Sequence, residues 1–93
     1  MMSRAFVLKS VQRGFDIVNV ITEKRIGKNI RCLRESAGLT QELLAAKLQI
    51  LGCDITRSAV AKIEVGQRHL YPDEIILIRE ILDCSYEDIF NLK

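Results

Sequence analysis

Apolar side chains recur at helical spacing from residue 26 to the end of the chain. A first stripe, with members three or four positions apart, predicts a helix that ends at Gly38, because glycine commonly follows the last turn of a helix. The stripe consists of Ile26, Ile30, Leu33 and Ala37. A second stripe follows Thr40, a good N-cap residue, and predicts a helix that ends at Gly52. Its members are Leu44, Leu48 and Leu51.

Three shorter helices are predicted after Gly52. Thr56 can cap a third helix that stops at Gly66, and Pro72 suits the first position of a fourth. Ser85 and Asp88 resemble a capping box that opens a last short turn. The side chains expected to face inward from the fourth helix are Ile75, Ile78 and Leu82, and the last turn contains Ile89 and Phe90. Because five helices account for the pattern and no strand is needed, the predicted fold class is all-α.

The first 25 residues allow more than one conformation. Several apolar residues are helically spaced, namely Val7, Val11, Phe15 and Val18. Residues 15–22 are rich in β-branched side chains, however, and Gly14 could form a turn, so a hairpin or an extended arm competes with a helix. We predict that residues 1–25 form an N-terminal arm whose apolar side chains pack against a second subunit or a protein partner. Residues 26–93 then form the folded domain.

Composition narrows the possible sites. The three cysteines are far apart and there is one histidine, so four zinc ligands cannot be assembled locally; we expect no metal site and no cofactor. Reduced thiols indicate a cytoplasmic protein, and the cysteines are expected to be small core residues. No apolar run reaches the ~18 residues of a membrane span, and the start of the chain lacks the features of a signal peptide.

The basic residues are concentrated in the first three quarters of the chain. Residues 1–25 hold five Lys or Arg against two acids, and residues 26–71 hold seven against four. Residues 72–93 hold two against six. This asymmetry fits a protein with one face toward a polyanion, although charges distributed over a solvated surface would give the same counts.

The predicted third helix has two contrasting faces. On a helical wheel, one face carries small or apolar side chains, namely Thr56, Ala59, Val60 and Ile63. The outer face carries Arg57, Ser58, Ala61 and Lys62. Two short helices that can approach closely, joined by a turn that contains glycine, form a helix-turn-helix. Basic side chains, a serine hydroxyl and an alanine methyl group can all contact base edges in the major groove. A helix face that is exposed only to solvent has a similar composition, however.

Residues 26–90 resemble the Cro and phage-repressor-like helix-turn-helix family, also called the lambda-repressor-like or xenobiotic-response-element family. The motif LRxxxGLTQExLA matches from Leu33 to Ala45. A Glu, one residue, Gly pattern after the third helix matches at Glu64 and Gly66. A closing pattern matches at Leu82, Ser85, Ile89 and Phe90. The resemblance implies a five-helix lambda-repressor-like domain preceded by the N-terminal arm.

The resemblance also implies roles for individual residues. Gln41, at the start of the second helix, would contact a DNA phosphate, which fits the preference of anions for helix N-termini. The positions that contact bases fall on Arg57, Ser58 and Lys62, with Ala61 beside them. Gln67 and Arg68, in the loop after the third helix, would contact the DNA backbone. Arg34 and Glu64 match an ion pair that joins the first and third helices.

The chain departs from the family pattern in three places. Between Gln41 and Glu64 it is five residues longer than usual, so either the second helix or the turn after it is extended. This extension could present the third helix at a shifted angle. Ala59 and Ala61 replace a threonine and a serine of the family, which removes two polar contacts. Tyr71 occupies the usual capping position before the fourth helix.

The leading hypothesis is a sequence-specific regulator of transcription that binds double-stranded DNA, acting as a repressor and as a homodimer with half-sites about one helical turn apart. A protein-interaction module with the same fold, such as an antitoxin or adaptor, is the alternative. An enzyme is not expected, because no nucleophile–base pair, paired carboxylates or phosphate-binding glycine loop occurs. His69 is expected to be a solvent-exposed or phosphate-facing loop residue.

Overall fold

The computed structural model describes residues 4–91 of the chain, with side chains from residue 20 onward. It contains five helices in chain order: α1 (Arg4–Ser36), α2 (Gln41–Ile50), α3 (Arg57–Glu64), α4 (Pro72–Leu82) and α5 (Tyr86–Phe90). No strand occurs among the described residues, so the predicted all-α class is confirmed. None of the described helices is long and apolar enough to cross a membrane.

The first helix begins 22 residues earlier than its predicted start at Ile26. Residues 4–25 continue α1 without a break, so neither a hairpin nor an extended arm forms there. The preference of β-branched residues for strands is weak and depends on context, and it does not outweigh the helical spacing of the apolar positions. The predicted boundary at residue 26 therefore lies inside a continuous helix. The predicted burial of side chains before Val20 lies outside the described residues, while Val20 and Ile21 are 49% and 48% exposed.

Side-chain hydrogen bonds cap the starts of the other four helices. The hydroxyls of Thr40 and Thr56 each accept a hydrogen bond at 3.1 Å from the backbone amide three residues on. Ser85 and Asp88 exchange reciprocal hydrogen bonds of 3.0 Å, as a capping box does. Tyr71 precedes α4, and its backbone amide donates to the Glu74 carboxylate at 3.0 Å. Side-chain acceptors thus satisfy amides that a helix leaves without partners at its start.

The core is aliphatic and lies where all five helices meet. Its fully buried members are Ile30, Leu44, Leu48, Ile55, Val60, Ile78 and Ile89. Leu51 was expected inside but is 48% exposed. Leu51 follows the last residue of α2, so the helical spacing that placed it inward no longer applies. Cys53 is buried and Cys84 half-buried, but Cys32 is exposed, so the expectation of a core role is wrong for Cys32.

The extra length between the second and third helices forms a turn, because α2 has only 10 residues. Gly52 adopts a φ of +85°, which is accessible to glycine and rare for other residues. Cys53 donates its amide to Leu48 at 2.9 Å, and Gln49 donates its side-chain amide to the Ile55 carbonyl at 2.8 Å. The extended turn is therefore held by hydrogen bonds and by the buried side chains of Cys53 and Ile55.

Two glycines allow α1 and the end of α3 to approach closely. A Cβ at Gly27 would overlap the Ile63 carbonyl oxygen and lie 2.8 Å from the carbonyl oxygen of Glu64. A Cβ at Gly66, where φ is +77°, would lie 2.6 Å from the Lys24 Cγ. Because neither site has room for a side chain, backbone-to-backbone packing fixes where α3 ends against α1.

Candidate nucleic-acid interface

The outer side of α3 presents most of the residues that were expected to contact bases. Arg57, Ser58 and Lys62 are exposed, and Ala61 is half-buried between them. Val60 and Ile63, on the opposite side, are 2% and 3% exposed and anchor the helix in the core. The burial of α3 on one side therefore leaves two cations and one hydroxyl on its outer surface.

A buried ion pair joins α1 to the end of α3. Arg34 donates to both carboxylate oxygens of Glu64, from Nε at 2.6 Å and from Nη2 at 3.0 Å. A third bond runs from Arg34 Nη1 to the Leu39 carbonyl at 2.7 Å. The Arg34 and Glu64 side chains are 9% and 1% exposed, and the hydrogen bond to Glu64 raises the pKa of the Arg34 guanidinium. A bidentate pair of this kind restricts both the position and the orientation of α3.

Gln41 extends this ion pair to the start of α2. Its side-chain Nε2 donates to Glu64 Oε1 at 3.0 Å, so one buried carboxylate contacts residues of α1 and α2 from its place on α3. Nothing in the sequence pattern predicted this bond. Gln41 is half-buried, and it lines a cleft of about 320 Å³ together with Arg34, Thr40, Glu42 and Arg57. The start of α2 and the first residue of α3 thus border the same cleft.

The loop after α3 is fixed differently from what the sequence predicted. Gln67 is exposed, and its backbone amide donates to the Lys62 carbonyl at 2.8 Å. Arg68, for which a contact with the DNA backbone was predicted, donates to both carboxylate oxygens of Glu74 on α4, at 2.9 and 3.0 Å. Its side chain is 28% exposed. The structure therefore gives the Arg68 guanidinium a role in holding the loop.

The environment of Glu74 strengthens this attachment. Burial alone would raise the pKa of the Glu74 carboxyl, but hydrogen bonds from Arg68 and from the Tyr71 amide lower it below its usual value. The next loop residue, His69, is exposed and contacts the Glu23 carboxylate of α1 through its ring Nδ1. Two carboxylates on different helices thus hold consecutive residues of the loop.

Sequence reasoning missed Gly27, Glu23 and Glu74, which position the interface without forming its surface. A glycine in the interior of a predicted helix was the one available signal, since such a residue commonly marks a close contact. The partners of Arg68 and His69 could not be derived, because a loop conformation brings them together.

A helix-turn-helix family model, of the Cro/C1 and lambda-repressor-like type, matches residues 30–89. The chain belongs to this helix-turn-helix family. The match covers α2, α3 and the turn between them, so α3 is the second helix of the motif. In helix-turn-helix proteins this second helix is called the recognition helix. A comparison with curated proteins finds no match.

Membership of this family makes the chain a DNA-binding helix-turn-helix regulator, and proteins of this family are not typically enzymes. Such proteins place the second helix of the motif in the major groove. The exposed surface of α3 is therefore the candidate nucleic-acid interface, and the ion pair of Arg34 with Glu64 lies at the end of the helix that carries it.

Proposed function

We propose that this helix-turn-helix protein is a cytoplasmic, sequence-specific regulator of transcription that binds double-stranded DNA as a homodimer and acts as a repressor. The observation that carries the proposal is the exposed outer face of α3, which is held in place by a buried bidentate ion pair. A recognition helix that is fixed before DNA binds loses little conformational freedom on binding. In this proposal, binding of the protein to its operator is itself the event that represses transcription.

The proposed base contacts follow from the chemistry of α3. Arg57 and Lys62 can donate to the O6 and N7 acceptors of guanine, and Ser58 can pair with several base edges. Ala61 offers a methyl group that suits the C5-methyl of thymine. Because Ala61 is half-buried and small, it lets the backbone of α3 approach the groove closely.

The proposed phosphate contacts lie at the ends of the motif. Gln41 lies in the first turn of α2, where the exposed amides and the helix dipole favour an anion. Its side-chain nitrogen already donates to Glu64, which fixes the amide relative to α3. Gln67 is exposed just beyond α3 and contributes a second contact. The predicted contact of Arg68 with the DNA backbone would be made while Glu74 pairs with its guanidinium.

A homodimer needs a surface that is complementary to itself. The exposed side of α4 and α5 offers Ile76, Tyr86 and Phe90, which are 47%, 42% and 42% exposed. The Tyr86 and Phe90 rings stack with centroids 6.5 Å apart, and the Arg79 guanidinium lies 4.8 Å from the Tyr86 ring centroid. Aromatic and arginine side chains are enriched at protein interfaces. Residues 1–25, of which residues 4–25 form the first part of α1, are the second candidate for this contact.

One observation favours the alternative function of a protein-interaction module such as an antitoxin or adaptor. The turn after α2 and the side of α4 form an open groove of about 260 Å³, lined by Lys47, Ile50, Leu51 and Ile81. Ile50 and Leu51 are 82% and 48% exposed, so the groove carries adjacent apolar side chains of the kind that mark interaction sites. In this role, the groove or residues 1–25 would hold a protein partner.

Selection of bound sequences from a random pool of duplex DNA, at physiological salt, tests the proposal. We expect an enriched motif with two-fold symmetry and half-sites about 34 Å apart, corresponding to one helical turn. Sedimentation of the complex would give the number of protein chains on each duplex. Failure to enrich any motif, together with duplex binding that does not weaken between low and moderate salt, would refute the proposal.

A further inference from the structure

A stripe of basic residues follows the exposed side of α1. Lys24, Lys28 and Arg31 are all exposed and lie within about 60° of one another on a helix with 100° per residue. Arg31 pairs with Glu35 at 3.0 Å. Within residues 20–91, by contrast, no carboxylate forms an ion pair with Lys24 or Lys28. The two lysines therefore present their ammonium groups to solvent.

This stripe lies on the side of α1 that borders the recognition helix. Lys24 packs directly against Gly66, the second residue after α3. Gly27 and Arg34, the residues of α1 that contact the end of α3, lie on the adjacent part of the wheel. The opposite edge of α1 carries Asn29, which donates to the Ile89 carbonyl of α5 at 2.9 Å. The basic stripe thus begins beside Gly66, the residue before Gln67 of the proposed DNA surface, and lies on a different side of α1 from the contact with α5.

We propose that Lys24 and Lys28 of α1 contact phosphates of the DNA backbone beside the groove that α3 enters. The inference rests on the proposed function, and it extends the DNA surface beyond the two helices of the motif. The side chains are four residues apart, which is a rise of about 6 Å, so both ammonium groups can follow one strand of the backbone. Lysine side chains supply a flexible point charge, which suits phosphate binding without sequence preference.

A purely structural role for Lys24 makes a different prediction. Lys24 packs beside the C-terminal end of α3, where the helix dipole favours positive charge. Removal of a dipole partner lowers the stability of the protein, but it leaves the dependence of DNA affinity on salt unchanged. Removal of a phosphate contact instead reduces the slope of log K against log salt by about 0.9 for each contact.

The test measures binding of the full chain to a fluorescent 30-bp duplex between 0.05 and 0.4 M salt. The variants are Lys24→Ala and Lys28→Ala, with Lys28→Arg to restore the charge. Lys47→Ala is the matched control, because Lys47 is exposed on the side of α2 that faces α4 and its removal changes the net charge equally. Thermal melting of each variant checks that it is folded.

We expect each alanine variant to lower the slope of log K against log salt by about 0.9. A phosphate contact that contributes nothing at 1 M salt gains about 0.9 log units in K when the salt is diluted tenfold, to 0.1 M. Each alanine variant should therefore bind about eightfold more weakly than the wild type at 0.1 M salt. Lys28→Arg and Lys47→Ala should retain the wild-type slope. If Lys24→Ala and Lys28→Ala both match Lys47→Ala while the wild type binds the duplex, the inference is wrong and the proposed function stands. A wild type that binds no duplex overturns both.

Discussion

Replacement of Glu64 by glutamine removes one buried negative charge and almost no volume. The Glu64 side chain is 1% exposed and accepts three side-chain hydrogen bonds, two from Arg34 and one from Gln41. An amide oxygen can accept part of this set, but the new NH₂ group would face guanidinium donors. We therefore expect Glu64→Gln to leave the charge of Arg34 buried without a counter-charge.

The expected loss is large for a domain of this size. Arg34 is itself only 9% exposed, so water cannot replace the missing carboxylate. Loss of one member of a buried pair costs about 3–5 kcal/mol, and each hydrogen bond to a charged group contributes about 1.5–3 kcal/mol. Since one bond from Arg34 to Leu39 remains, we expect a loss of about 3–4 kcal/mol in the free energy of unfolding.

Urea denaturation followed by circular dichroism measures this loss. The exposed pair of Arg31 with Glu35 provides a matched control, because its side chains are 61% and 56% exposed. Glu35→Gln removes the same charge from a solvated i, i+4 pair and should cost no more than about 0.5 kcal/mol. The double variant Arg34→Met/Glu64→Leu should recover most of the stability, since apolar residues of similar volume often replace a buried pair without loss.

DNA binding separates stability from geometry in the same variants. In the double variant Gln41 loses the acceptor that fixes it relative to α3, so DNA affinity should stay below that of the wild type although stability returns. A loss below about 1 kcal/mol for Glu64→Gln would refute the reasoning, because that value belongs to a solvated pair.

Three further predictions concern separate features of the molecule. Gly27→Ala should lower stability by at least about 2 kcal/mol in thermal or urea unfolding, despite the helix propensity of alanine, because its Cβ would overlap the Ile63 carbonyl. Because the pKa of the Glu74 carboxyl is lowered in the folded protein, its stabilisation is present above the unfolded pKa, near 4.5, and is lost as the pH falls through the lower folded value. Glu74→Gln should therefore flatten that part of the profile of stability against pH. An unchanged profile would contradict the assignment. Arg57→Ala should relax preference at one base position at a cost of about 1–3 kcal/mol, whereas Gln41→Ala should weaken binding to all duplexes alike, as competition with mutated sites would show.

The fold was largely predictable because its signals are local. Thr40, Thr56 and the Ser85 capping box each start a helix at the predicted residue, and each acts through an amide three residues away. The glycines that were expected to stop helices adopt positive φ, as at Gly38 and Gly66. Signals of this range need no knowledge of the rest of the chain.

The limits of the prediction have physical causes. The start of α1 was missed because β-branched residues in 15–22 suggested a strand, and strand propensity is a property of the surroundings more than of the residues. Leu51 was placed in the core because the spacing was continued past the end of α2.

Within the candidate site, long-range partners were the part that sequence could not supply. The pairing of Arg34 with Glu64 was available only through resemblance to a family, since the two residues are 30 positions apart. For Arg68, the sequence suggested a contact but not the partner that the structure shows. A cation in a loop near DNA suggested a phosphate contact, but the loop conformation brings it to Glu74, which is buried on α4.

The turn between α2 and α3 can change in length without changing where α3 begins. Cys53 and Ile55 enter the core just before α3, so the start of the recognition helix is set by packing and not by the number of residues that precede it. Gly52 and the exposed Ile50 and Leu51 contribute little to that packing. Insertions and deletions at this point should therefore be tolerated during evolution, and the segment can acquire a separate surface while the DNA-binding geometry is preserved.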